Sequence, residues 1–342
     1  MMEFWLGDGL LKLLVRLSDG TAAPRKIEAR EALRYLGTRM TNDQMNKRGT
    51  LHRALGVSKP PEKITQEAFE GDNRHLRRLV RLAPDERANA SDLWEYTQDL
   101  RYTKIQGPLL AYLLPFCLEA WREDLRGFDG YGGFVEQLYP VLADRHVFDV
   151  HLTPKQTEVV SAFMREAILE EIDEQRGLAY QGMNARPYRW IRALTSYGVL
   201  LPDVRRIWTA WWSLDTIGRA IAAVQYISCL MYSENENPVF SPWTRDGGGG
   251  PPCLWEFEGL LYEHRWLAPN VTFLRETLNP TGVTEVLHRA VECLAEQPER
   301  EVASRVLADL PLCIATVESR CAELPRLLDT TRHSTASLGW SS

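Results

Sequence analysis

The sequence lacks long hydrophobic runs. No stretch approaches the ~18 uninterrupted apolar residues that a membrane-spanning helix needs, and the most apolar segment, residues 217–232, contains Arg219. Residues 1–17 briefly resemble a signal peptide, but Asp8 and Lys12 interrupt the apolar run and no basic segment precedes it. The sequence therefore predicts a soluble protein with no secretory signal and no membrane partner.

Paired cysteine motifs are also missing, since the six cysteines are scattered and form no CxxC pair. Cys117 and Cys229 lie in apolar helical patterns, where a free cysteine behaves as a small hydrophobe. Cys313 and Cys321 on one helix would stand ~12 Å apart, which is too far for a disulfide. This cysteine usage predicts a reducing compartment, and therefore a cytoplasmic protein.

The motifs of common catalytic and metal sites are absent as well. There is no Gly-x-Ser-x-Gly turn. The Gly247–Gly250 run is followed by two prolines, whereas a phosphate-binding loop needs a Lys-Ser/Thr pair there. Glu285 and His288 form a single Glu-x-x-His element, whereas di-iron bundles need two. We therefore predict no catalytic residue, no metal site and no cofactor.

Strand patterns are scarce, because residues 10–17 and 148–152 resemble short strands without clean alternation. Helical patterns dominate, and the clearest covers residues 153–177, which open with a capping box. Other helices are predicted at 26–38, 65–82, 90–102, 108–126, 132–144, 187–198, 203–213, 216–232 and 283–296, with one more from Pro298 and a last one from Leu312 to Leu328. The predicted fold is all-α, an irregular multi-helix globule with short antiparallel connections.

Three regions are predicted from these patterns. Residues 1–88 form a basic N-terminal helical region, residues 89–329 the main helical body, and residues 330–342 a flexible tail. Residues 216–232 are apolar on more than one face, which is typical of a buried central helix.

Charge is unevenly distributed along a chain whose net charge is −6. Residues 25–81 contain fourteen basic and seven acidic side chains, whereas residues 119–177 contain six basic and thirteen acidic ones. Two interpretations are open. The segments can neutralise each other inside the protein, or they can present two surfaces to partners.

Tryptophan is concentrated in one part of the chain, with seven of the eleven residues between Pro187 and Trp266. These rings can form an aromatic core, or they can line a groove that arginines border and the glycine-rich segment 233–253 closes. On the second interpretation, the predicted binding residues are Trp208, Trp211, Trp243, Arg245, Trp255 and Arg205.

The function that these observations favour is that of a non-enzymatic interaction protein. It would bind another protein or a peptide and occlude or position it, as an immunity protein or an adaptor does. A first alternative is a helical enzyme whose acid–base groups are Glu256, Glu258, Glu263 and His264. A second is nucleic-acid binding through Arg74, Arg77, Arg78 and Arg81, against which the overall acidity argues.

Overall fold

The computed structural model describes residues 51–57, 59–83, 86–127, 133–178, 186–232, 237, 239 and 264–329. The chain divides into two compact units, residues 1–47 and 48–342, and all described residues belong to the second. Within these ranges every regular element is a helix and no strand occurs, which confirms the all-α prediction. The predicted boundaries at residues 88 and 329 stay predictions.

Residues 51–54 are helical, and twelve helices with defined bounds follow in the described part of the chain. They are α1 (Arg74–Leu79), α2 (Ala90–Tyr102), α3 (Gly107–Leu125), α4 (Phe134–Asp144), α5 (Val147–Val150), α6 (Pro154–Asp173), α7 (Arg186–Leu200), α8 (Val204–Trp212), α9 (Ile217–Met231), α10 (Ala268–Thr277), α11 (Pro280–Cys293) and α12 (Arg300–Leu328). The predicted helix 26–38, the predicted strand 10–17 and the predicted tail lie outside the described residues. None of the described helices is both long and apolar enough to cross a membrane.

The predicted capping box at the start of α6 is present. Thr153 Oγ1 accepts a hydrogen bond from the Gln156 backbone N–H at 3.3 Å, and Gln156 Oε1 accepts one from the Thr153 backbone N–H at 2.9 Å. These bonds satisfy N–H groups that have no partner within the helix. Gln156 Nε2 also donates to the backbone carbonyl of Leu55 at 2.6 Å, so a hydrogen bond connects the start of α6 to the residue that follows the helical segment 51–54.

Helix α9 is the buried central helix that its composition predicts. Every residue of α9 except Ile217 and Arg219 is buried. The helix packs against α6, α8, α11 and α12. Because neighbours surround it, α9 has no polar face to present to water.

The chain after residue 298 folds differently from the prediction. We predicted a helix from Pro298 and a separate one from Leu312, whereas α12 runs without a break from Arg300 to Leu328. Pro311 lies inside it and is exposed to solvent. The buried residues keep one helical face on both sides of Pro311: Ala303, Val306, Leu310, Val317, Cys321, Leu324 and Leu328. Burial of this continuous stripe outweighs the hydrogen bond that a proline removes.

Two other segments also differ from the prediction. The predicted helix 65–82 is reduced to the six residues of α1, and Gly71, with φ of 76°, forms a left-handed turn just before it. Residues 148–152, predicted as a possible strand, begin inside the helical turn α5. There the backbone N–H groups of Asp149 and Val150 donate to the carbonyl of His146, which closes a turn that a strand cannot contain.

Candidate functional site

The predicted groove residues Trp208 and Trp211 are in the core. Their side chains are 1% and 0% exposed, and Trp212 beside them is also buried. All three share one face of α8, as their spacing predicts, but that face points into the protein. These rings therefore cannot line a groove for a partner, which corrects the binding interpretation for Trp208 and Trp211.

The buried tryptophans pack mainly edge to face. Trp211 contacts Trp190 and Trp208 with ring centroids 4.9 and 5.1 Å apart, and Tyr226 of α9 lies 5.3 Å away. The interplanar angles, from 67° to 87°, bring positively polarised ring edges against electron-rich ring faces. This geometry joins α7, α8 and α9, so the cluster stabilises the fold.

The other predicted groove residues are not brought together in the described part of the chain. Arg205 is exposed, with its guanidinium 5.1 Å from the Phe273 ring centroid and 3.8 Å from Glu276. Trp243, Arg245 and Trp255 lie outside the described residues, so their contribution to binding stays a prediction.

Two acidic side chains of α6, Glu170 and Asp173, are paired with arginines within the protein. Glu170 Oε2 lies 2.5 Å from Arg122 Nη2 and 2.7 Å from Arg126 Nη2. Asp173 Oδ1 lies 2.8 Å from Arg219 Nε. The arginines in these pairs belong to the acidic segment itself or to α9 and not to residues 25–81, so the two interpretations of the uneven charge both stay open.

A second polar cluster joins α6, α7 and α8. Asp203 accepts hydrogen bonds from the hydroxyls of Ser161 and Tyr197, and Arg165 Nη1 lies 3.1 Å from its Oδ2. Burial and the hydrogen bond to Asp203 raise the pKa of Tyr197, so this phenol stays protonated. Ser161 and Tyr197 are both buried, and the cluster therefore connects helices.

The residues of the enzyme alternative are only partly described. His264 Nε2 lies 2.7 Å from Asp144 Oδ1, and the Tyr139 ring is edge-on to the imidazole. A carboxylate that orients an imidazole is one component of acid–base sites. The three acidic residues of this hypothesis, Glu256, Glu258 and Glu263, lie outside the described residues, so the alternative stays a prediction.

Two of the four arginines of the basic segment are neutralised at short range. Arg74 Nε lies 2.5 Å from Asp72, and Arg78 Nη2 lies 2.5 Å from Asp92. Helix α1 is also only six residues long. All four side chains are exposed, but only Arg77 and Arg81 form no ion pair with a described carboxylate, which is a small charge for contacts with a phosphate backbone.

Three large aromatic side chains on α2 and on the loop before α1 are exposed. Phe69, Trp94 and Tyr102 are 53%, 42% and 54% exposed, although rings of this size are normally buried. The rings of Phe69 and Tyr102 lie 4.5 Å apart and are tilted by 31°, and the Arg101 guanidinium lies 5.6 Å from the Tyr102 ring centroid. Trp94 lies eight residues before Tyr102 on α2, about 12 Å along the helix axis, so it is exposed on the same helix without being shown in contact with the other rings. These four residues are called the aromatic surface below.

Beneath the aromatic surface, side chains of α1 and α2 form ionic contacts, one of which is buried. His75 Nε2 lies 2.6 Å from Asp99 Oδ2, and both side chains are 2% exposed. Asp99 Oδ1 accepts a hydrogen bond from the Phe69 backbone N–H at 2.8 Å. His75 Nδ1 lies 3.0 Å from Glu95 Oε2. Thus α1, α2 and the loop that carries Phe69 are connected through one imidazole and one carboxylate.

The His75 contacts predict a dependence of stability on pH. Burial alone would lower the pKa of His75, but the hydrogen bond and charge of Asp99, with Glu95 and Asp92, outweigh it and raise this pKa. A raised pKa in the folded state means that the stabilisation is present at low pH and is lost as pH rises through that pKa. We expect the free energy of unfolding, measured by denaturant titration at a series of pH values, to fall as pH rises from about 6.5, the pKa of an unperturbed histidine, through the raised pKa of His75.

Two variants check this assignment. His75→Gln should reduce this fall in stability, because the titrating group is gone. His151→Gln should leave the fall in place, because burial and Arg145 lower the pKa of His151, which is the opposite direction to the shift of His75. An unchanged pH dependence in His75→Gln would show that other groups cause it.

The aromatic surface was not among the predicted binding residues. Trp94 and Arg101, seven positions apart on α2, lie on the face opposite the buried Leu93, Tyr96 and Leu100. A helical projection of residues 90–102 would therefore have placed Trp94 on the polar face. For Phe69 no such signal existed, because its segment was predicted to be helical and is a loop.

Comparisons of the chain with protein-family models, with curated proteins and with solved structures found no match.

Proposed function

We propose that this chain is a non-enzymatic interaction protein that binds a partner protein or peptide and occludes or positions it, as an immunity protein or an adaptor does. The observation that supports the proposal is the aromatic surface. Exposed clusters of large apolar side chains often mark interaction sites. Tryptophan, tyrosine and arginine are also the residues most enriched where the binding energy of protein interfaces is concentrated.

The ordered backbone that carries these aromatic residues favours binding. Trp94 and Tyr102 are carried by a helix, and the Phe69 backbone is held by Asp99. Residues whose backbone is already ordered lose less conformational entropy when a partner binds. A partner that covers these rings therefore gains their burial at a small ordering cost.

The experiment is an affinity purification of the tagged full-length chain from its native lysate, followed by mass spectrometry. We expect a stoichiometric protein in the wild-type sample that is lost from Trp94→Ala/Tyr102→Ala. Both side chains are about half exposed, so this variant should keep its fold, which circular dichroism checks. With the purified partner, calorimetry should show a Kd at least ~30-fold higher, the effect of losing a single aromatic residue that contributes about 2 kcal/mol to binding.

Two control variants separate the possible surfaces. Leu312→Ala removes an aliphatic side chain that is 87% exposed on α12, and it should leave binding unchanged. Trp243→Ala/Arg245→Ala tests the surface predicted in the glycine-rich segment. If the partner is lost only from this last variant, the binding surface is the glycine-rich segment and not the aromatic surface. Absence of any enriched protein would contradict the proposal and favour the enzyme alternative.

A further inference from the structure

The middle of helix α12 presents uncharged side chains to solvent. Leu312 is 87% exposed, and Ala308, Ala315 and Ser319 are exposed at positions that share its helical face. A single exposed leucine would need no explanation, but here three helical turns carry only small or apolar side chains on the outward face. These four residues are called the α12 face below.

Charged side chains lie on the outward side of α12 only at its two ends. Glu301 and Arg305 are exposed near its start, and Arg326 is exposed near its end. Glu323 lies beside Arg326, with 3.9 Å between Oε1 and Nη2, and the Arg326 side chain is still 76% exposed. Two other exposed charges lie about 120° around the helix from Leu312 and therefore project to one side: Arg300 and Glu318.

The remaining charged residues of α12 bond within the protein. Asp309 Oδ2 accepts a hydrogen bond from the Tyr232 hydroxyl at 2.8 Å, and Arg320 Nη1 donates to the backbone carbonyls of Cys229 and Tyr232. The whole helix has four acidic and four basic side chains. It therefore has no net charge that would select an acidic or a basic partner.

The charges at the two ends are placed symmetrically about the middle of the α12 face. Glu301 lies eleven residues before Leu312, and Arg326 lies eleven residues after Ala315. The small residues follow the same rule, because Ala308 is four residues before Leu312 and Ser319 is four residues after Ala315. The sequence of this face is thus balanced about one point.

Opposite signs at equal distances make the face complementary to itself. In a second copy that runs antiparallel, Arg326 would lie opposite Glu301, and Glu323 would lie within one residue of the position opposite Arg305. A parallel copy would place Glu301 against Glu301 and Arg305 against Arg305, which is repulsive. The charge pattern therefore favours an antiparallel copy.

We propose that the α12 face binds a second copy of this chain, with the two helices antiparallel about a two-fold axis between Leu312 and Ala315. Leu312 of each copy packs against Ala315 of the other, and Ala308 packs against Ser319. A two-fold axis repeats every contact, so each complementary pair of residues occurs twice. This inference does not depend on the aromatic surface, which lies on α2 and on the loop before α1.

The small side chains of the α12 face allow the two helices to approach closely. Contacts at both ends of α12 also require a shallow crossing angle of about 20°, because helices that cross at about 50° separate too far at their ends. A contact made by one pair of helices is at the small end of specific interfaces, with about 1,200 Å² of total buried area or less. We therefore expect a dimer whose Kd is in the micromolar range.

The test is sedimentation velocity of the purified full-length chain at concentrations from about 1 to about 100 μM, which span this Kd. We expect the wild type to pass from monomer to dimer. Leu312→Asp should raise the Kd at least ~30-fold, because it places a carboxylate at the centre of the contact in both copies. Val150→Asp, the same change at an aliphatic residue that is 66% exposed on α5, should dimerise like wild type. Circular dichroism checks that both variants fold.

Charge reversals test the orientation. Glu301→Arg and Arg326→Glu should each raise the Kd about 10-fold, because each variant creates two like-charge contacts in the antiparallel dimer. Glu301→Arg/Arg326→Glu should restore the wild-type Kd. Each substitution places the wrong charge for the helix dipole, so this recovery would not come from a more stable α12.

Each other outcome would overturn a stated part of the inference. A wild type that stays monomeric at the highest concentration, or a dimer that Leu312→Asp leaves intact, would overturn the α12 contact. A dimer that the double charge reversal does not restore would overturn the antiparallel arrangement. If the wild type is monomeric and Leu312→Asp loses a protein from the lysate, the α12 face binds that protein and not a second copy. Trp94→Ala/Tyr102→Ala should dimerise like wild type, so the proposed function is decided separately.

Discussion

Replacing Trp211 with alanine is expected to lower the free energy of unfolding by about 3–5 kcal/mol, the range for removing a large aromatic side chain from a core. The side chain is 0% exposed, and its ring contacts Trp190, Trp208 and Tyr226. Alanine would leave a cavity where three helices meet and would remove the edge-to-face contacts. Guanidinium titration followed by circular dichroism measures the change.

The matched control is the same substitution on the aromatic surface. Trp94 is 42% exposed, so Trp94→Ala should cost less than about 1 kcal/mol. Trp211→Phe, which keeps an aromatic ring at the site, serves as a milder variant if Trp211→Ala does not fold. If Trp211→Ala were as stable as wild type and lost the partner, the ring would be at a surface and the original groove hypothesis would return.

Replacing Gly218 with alanine is expected to destabilise the protein by about 3 kcal/mol or more, at the upper end of the cost of overpacking. A Cβ atom at Gly218 would lie 2.2 Å from the carbonyl oxygen of Asp173 and 2.6 Å from that of Ile172. These are backbone atoms, so no side-chain rotation relieves the clash. Helix α9 cannot move away without breaking the bonds from Thr216 and Arg219 to the Asp173 carboxylate.

Gly282 in α11 provides the comparison. A Cβ atom there would meet its nearest neighbour, the Thr277 carbonyl oxygen, at 3.3 Å. Because alanine favours a helix over glycine by up to about 1 kcal/mol, Gly282→Ala should be close to neutral or slightly stabilising. Thermal unfolding of both variants beside wild type decides the prediction. An equal loss from the two substitutions would show that helix–helix contact at Gly218 is not the cause.

Local signals predicted the individual helices well. The capping box at Thr153 and the apolar composition of residues 216–232 both led to the correct elements, because each depends on hydrogen bonds and periodicity within a few turns of chain. The incorrect prediction of a helix break near Pro311 has a different cause, because there a distant contact outweighs the local signal. The local rule for proline predicts a break, whereas the helix continues because its buried stripe packs against α9 and α11 along its length.

In the candidate site, too, local sequence signals determined some features and tertiary packing determined the others. The spacing of Trp208 and Trp211 determined that the two rings share a helical face, and the spacing of Trp94 and Arg101 determined the same for that pair. Only the tertiary structure decided that the first face is buried against α9 while the second is exposed. A helix presents several faces that can pack, and the choice among them depends on the surface that distant helices bury together. No window of neighbouring residues contains that information.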